Sequence, residues 1–131
     1  MLEYIKEASS LLGIIIRDNY TGDKIKFFTD NESNFQVGYM NRNTDYEVKP
    51  HYHKNQKRII NTTSEVLIIK NGKVKINFFD SNKNIIENKI LNKGDIIVFL
   101  KGGHGIQFLE KTEIVEIKQG PYLEENDKNY I

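Results

Sequence analysis

The chain has 131 residues, a length that suits one domain whose single core removes about two-thirds of the unfolded surface from water. Its 19 basic and 18 acidic side chains leave a net charge of +1, so no general field draws it to nucleic acid or to an anionic membrane. It has no cysteine, which excludes disulfides, thiolate metal sites and cysteine nucleophiles.

The N-terminus M-L-E-Y-I-K-E lacks the basic-then-apolar order of a signal peptide, and no apolar run reaches membrane-spanning length, so the expectation is a soluble cytoplasmic protein. Leu2, Ile5, Ala8 and Leu12 recur at spacings of three and four, which suits a short amphipathic N-terminal helix, with a strand as the alternative. From Gly13 onward the pattern changes to short β-branched and aromatic runs separated by Asn, Asp, Gly and Lys clusters. The expected strands are Ile14–Ile16, Lys24–Phe28, Phe35–Met40, Tyr46–His53, Arg58–Ile60, Glu65–Lys70, Lys73–Phe79, Ile85–Leu91, Asp95–Phe99, Gly105–Leu109 and Thr112–Lys118. Turns are expected at Thr21-Gly22-Asp23, Asn71-Gly72, Asp80-Ser81-Asn82, Asn92-Lys93-Gly94 and Glu110-Lys111. Many short strands with frequent turn signals point to an all-β sandwich or barrel. Two stretches, Val66-Leu67-Ile68-Ile69 and Ile96-Ile97-Val98-Phe99, are apolar on both faces. Their second face needs a cover, supplied by the N-terminal segment or by another copy of the chain, and a homodimer is the expectation. The polar tail around Glu124–Lys128 reads as loose.

The chemistry concentrates between Pro50 and Gly72 and around K-G-G-H-G. On a strand, His51 and His53 would aim both imidazoles at one face with Tyr52 on the other. Glu65 opens an apolar run that ends on Asn71-Gly72, the dipeptide of a two-residue hairpin turn. With His104, these residues make a ligand set for a borderline divalent metal: His51, His53, Glu65 and His104. Lys54, Lys57 and Arg58 flank the histidines and form a basic lip that suits the carboxylate or phosphate of a small-molecule ligand, Arg58 through its planar fork. Glu116 and Lys118 alternate with Val115 and Ile117, and the sequence leaves open which pair faces inward. Gly72 supplies a positive φ for its turn, and Gly102-Gly103 let the backbone pass closely.

In these residues the chain resembles the cupin family. H-Y-H, then Glu65, then Gly72 follow that family's first motif. Gly94, Gly102 or Gly103, and His104 follow its second, and together the motifs span about residues 38 to 118. Four departures stand out. The segment between His53 and Glu65 is longer than the family's; Asp45 stands for the leading glycine; Leu100 stands for the motif proline; His104 arrives one residue early. The resemblance implies a jelly-roll β-barrel or sandwich with a metal at its mouth (zinc, iron, nickel or manganese). It also implies a small-molecule enzyme of carbohydrate metabolism or polysaccharide biosynthesis. Such an enzyme would be isomerase- or epimerase-like and act on a carbohydrate or nucleotide-sugar substrate. An iron-dependent dioxygenase and a non-catalytic small-ligand module are the alternatives, since one fold hosts many chemistries.

Overall fold

The β-branched and aromatic runs form ten strands in a computed structural model that describes all 131 residues. They are β1 (Leu2–Glu7), β2 (Ser10–Ile16), β3 (Ile25–Phe27), β4 (Gly38–Met40), β5 (Glu65–Asn71), β6 (Lys73–Phe79), β7 (Ile85–Asn92), β8 (Ile96–Phe99), β9 (Gly103–Phe108) and β10 (Glu113–Lys118). One turn of helix, α1 (Glu124–Asp127), follows. Strand makes up 44% of the chain and helix 3%, so the protein is all-β; its three antiparallel sheets are open. No helix is long and apolar enough to cross a membrane.

The chain divides into two compact units, residues 1–20 with 62–131, and residues 21–61. The larger unit holds a five-stranded sheet in the order β1-β2-β8-β5-β10 and a three-stranded sheet in the order β7-β6-β9. Ile5, Ile15, Leu67, Ile69, Ile97 and Phe99 from the first sheet and Val74, Ile76, Phe78 and Leu91 from the second form one buried core. The smaller unit carries the β3–β4 pair, in the register Ile25↔Met40 to Phe27↔Gly38.

The N-terminal residues are a hairpin, not a helix: β1 and β2 pair antiparallel from Leu2↔Ile16 to Glu7↔Ser10. A bulge between Ile5 and Lys6 leaves Leu12 as an extra residue on β2, and Ile5 and Leu12 are both buried. Such an insertion breaks the period of two, and with the turn at Ala8 (φ 52°) it produces the spacing that imitates a helix. Asn71-Gly72 is likewise not a hairpin. β5 belongs to the five-stranded sheet and β6 to the three-stranded one, so the chain runs on through Gly72 (φ +94°) and turns a corner between sheets. β10 and β9 accompany it, pairing with β5 and β6 respectively. Residues 46–53 and 58–60, both expected as strands, form none and are exposed, having no partner strand to satisfy their backbone and so leaving it to water.

Gly94 (φ +88°) closes the β7–β8 turn, where a Cβ would strike the Asp18 carboxylate. The buried Asp95 beside it accepts hydrogen bonds from Arg17 Nη1, the Asp18 amide and the Asn92 amide, each at 2.9 Å. Arg17 also pairs with Glu3 at 2.8 Å, so one charge-assisted network ties β1, β2 and the β7–β8 turn.

Candidate acid–base site

Along β5 the residues Ile69, Leu67 and Glu65 share one face, and their register partners on β10 are Ile114, Glu116 and Lys118. Ile69, Leu67 and Ile114 belong to or pack on the core, so this face runs from apolar to charged along its length. Phe99 on β8 lies opposite Glu65. From the other sheet β9 brings His104, which pairs with Phe78 in register and stacks on the Phe99 ring at 3.8 Å and 10°. The imidazole is thereby held with its Nε2 3.5 Å from Glu65 Oε2, and the Glu65 side chain is only 13% exposed. The buried Ser64 anchors the approach to β5: its amide donates to Gln119 Oε1 at 2.7 Å.

Glu116 shares a hydrogen bond with Glu65, and the two carboxyls are pushed in opposite directions. The contact with His104 lowers Glu65 below the ordinary carboxylate range; burial opposes this, and the Glu116 hydrogen bond adds to it. Glu116 is raised, chiefly by its hydrogen bond to Glu65 and then by burial. Beside the Glu65 carboxylate, Glu116 therefore gives up its proton less readily than an ordinary carboxyl. Lys118 stands beside both. Burial opposes its charge, but Asp127 (3.3 Å) and Glu116 (3.5 Å) outweigh that and raise it, while the Tyr122 ring lies 5.3 Å away. The result is two carboxyls shifted in opposite directions, an imidazole and a lysine on one patch, the kinds of group that add a proton at one atom and remove one from another.

Of the expected ligands, Glu65 and His104 meet in the larger unit, whereas His51 and His53 lie in the smaller one, on an exposed stretch without strand. Their rings are 5.2 Å apart at 75°. His51 Nδ1 lies 2.8 Å from the Lys49 carbonyl; the carbonyl can only accept, so Nδ1 donates. Within neither unit is a group of three or more His, Asp or Glu side chains arranged to hold a metal ion. Lys54, Lys57 and Arg58 are exposed. Gly102 (φ +84°) precedes His104, and at Gly103 the close neighbours are Phe79 and Ile131.

No family model, curated protein or solved structure matches this chain. Its own geometry is therefore what bears on function. That geometry settles the facing of β10, which its alternating sequence leaves open: Glu116 and Lys118 join Glu65, and Val115 and Ile117 turn away. Within the polar tail, expected to be loose, Asp127 of α1 accepts a hydrogen bond from Lys118 Nζ at 3.3 Å. A lone lysine ending an inward strand, followed by the acidic run from Glu124 to Asp127, is the signal for that pairing.

Proposed function

We propose that this protein is a cupin-like small-molecule enzyme that moves protons on a carbohydrate or nucleotide-sugar substrate, in the manner of an isomerase or epimerase. The observation that carries this reading is the Glu65–Glu116 pair beside His104, with one carboxyl pushed down and its neighbour pushed up. Environments that drive two like groups apart assign a base and an acid. Glu65 is the base, drawing a proton from a carbon next to a carbonyl. Glu116 is the acid, delivering a proton to the oxygen or to the opposite face of that carbon. His104, fixed against Phe99, orients Glu65, and Lys118 holds the developing negative charge. The family resemblance supplies the carbohydrate class. Glu65 and His104, one from each motif, lie together, which supports that resemblance.

The test is solvent deuterium exchange. In D2O the protein is expected to place deuterium on a sugar carbon of at least one nucleotide sugar in a panel, followed by proton NMR. Glu65→Gln and Glu116→Gln should each slow this by about 10²- to 10⁴-fold, the range for losing a general acid or base. A panel in which no carbon-bound position exchanges ends the reading.

A divalent metal belongs to the same proposal, since carboxylate and imidazole are donors that zinc, iron, nickel and manganese accept. Bound there, it would polarise the substrate carbonyl. Elemental analysis of the purified protein should find stoichiometric metal that is lost either in His51→Ala/His53→Ala or in Glu65→Gln/His104→Ala, and the variant that loses it names the pair, each within its own unit, that holds it. Retention in either double variant removes those residues from the ligand set. Arg58→Ala should weaken binding of an anionic ligand by the smaller unit by about 1.5 to 3 kcal/mol, as for a hydrogen bond to a charged group, without changing metal content. Unchanged affinity would make Lys54, Lys57 and Arg58 a solvated surface.

A further inference from the structure

We infer that residues 121–131 form an autoinhibitory strap across the mouth of the Glu65–Glu116 site, latched at one end by Asp127 on Lys118 and at the other by Ile131 on Gly103. Each sheet of the larger unit presents an edge strand to this site, β10 from the first and β9 from the second. Lys118, the last residue of β10, lies in register with Glu65, and Gly103, the first of β9, immediately precedes His104. The tail touches both. Lys118 Nζ donates to Asp127 Oδ2 at 3.3 Å, and Ile131 Cδ1 comes so close to Gly103 that a Cβ there would lie 2.8 Å from it. Four residue steps separate Asp127 from Ile131, a reach of at most about 14 Å. So short a segment, tied to Lys118 and to Gly103, passes beside the Glu65 and His104 side chains, which meet at 3.5 Å between these anchors.

Charge makes the latch inhibitory, and this rests on the reading of Lys118 as the group that holds developing negative charge. Asp127 is the one residue of 121–131 that is not exposed; its side chain, 16% exposed, is turned in toward the Lys118 ammonium and already answers that charge. An anion formed on a substrate has to take this place from it. The strap is also built to let go. No backbone hydrogen bond joins residues 120–131 to a strand, and α1 is a single turn with no side-chain cap and no buried residue. Tyr122, Leu123, Tyr130 and Ile131 are all largely exposed. A segment with few buried contacts and no shared backbone ladder opens at the low end of local stability, far below global unfolding.

Labelling of histidine by diethyl pyrocarbonate, read residue by residue on the full chain by mass spectrometry, tests this. His51 and His53, exposed and in the smaller unit, are the internal references, and His104, with its side chain 28% exposed, is the reporter. Asp127→Asn releases the ionic end of the strap, and Ile131→Ser releases the apolar end without changing any charge. Each should raise the His104 rate against the references by roughly threefold or more, as local opening becomes easier. In the parent, raising sodium chloride from about 0.1 to about 1 M shortens the screening length from about 10 to about 3 Å and should raise that rate too, an effect absent from Asp127→Asn. A His104 rate that neither variant changes overturns the inference. So does a rise confined to Asp127→Asn, which reports a changed field at the imidazole and no opening. The salt titration of the unaltered protein decides the matter even where a variant fails to fold, a constant His104 rate being the overturning result. Labelling needs no turnover, so a strap that lifts in a protein that exchanges no sugar deuterium stands, and only the proton-transfer reading falls.

Discussion

Glu65 and Glu116 set opposite demands on pH. Glu65 titrates below its unfolded value, chiefly through His104, so its contribution is present above the unfolded value of about 4.3 and is lost as pH falls through the folded one. Glu116 titrates above its unfolded value, chiefly through its hydrogen bond to Glu65. Its contribution is complete below the unfolded value and is lost as pH rises through the folded one. Stability should therefore climb out of acid, pass a maximum and decline slightly. Gln at position 116 keeps a donor for Glu65 and cannot ionise, so Glu116→Gln should keep the acid limb and remove the decline. The gain at neutral pH should stay under about 1 kcal/mol, because the Glu116 side chain is 47% exposed and water screens the pair. Urea titrations across pH would check this, and an unchanged decline in the variant would show that Glu116 is not its source. At this scale, Glu65 and His104 are legible in the sequence as positions in spaced motifs. The facing of Glu116 and Lys118 is not, because an alternating strand does not say which of its faces turns inward.

The element that shapes the larger unit is the doubled corner in which β5–β6 and β10–β9 pass together from one sheet to the other. Thr112 pins it: its Oγ1 receives the Lys73 amide at 3.1 Å and donates to the Glu110 carbonyl at 2.9 Å. Gly72 lies against Thr112 and the Lys111 carbonyl with a φ of +94°, leaving neither the conformation nor the space for a Cβ. Gly72→Ala is expected to cost about 2 to 3 kcal/mol, from a left-handed φ on a non-glycine residue together with the collision. A denaturation midpoint equal to the parent's would mean that the corner relaxes freely. Asn-Gly announces a reversal in the sequence, and the chain does bend there. What the dipeptide does not carry is the partner: two strands close into a hairpin only if they pair with each other, and here each finds its ladder on β10 or β9. The same logic accounts for residues 46–60. Tyr46, Val48, Ile59 and Ile60 have the composition of strands, and all are exposed, because β-propensity expresses a fit to neighbouring strands and none pairs with them.

For the whole molecule, the apolar outer faces read from the sequence divide into two cases. Ile14 and Val98 are 0% and 1% exposed within the single chain, so over β2 and β8 no second copy is needed. On β10 the outward residues Val115 and Ile117 stay 40% and 49% exposed. β10 is also the edge of its sheet, with only β5 beside it. An edge with free backbone groups and apolar side chains is a template for pairing, and antiparallel pairing of one edge with its own copy satisfies a two-fold axis. We propose a homodimer formed in this way. Light scattering at micromolar concentration should give about twice the 15.3 kDa of one chain. Ile117→Lys should return it to a single chain by burying a charge against its symmetry mate, while Glu65 and Glu116, on the opposite face of the ladder, keep their titration. A parent protein that remains at 15.3 kDa under these conditions leaves Val115 and Ile117 as ordinary exposed residues. A dimer that survives Ile117→Lys places the interface elsewhere.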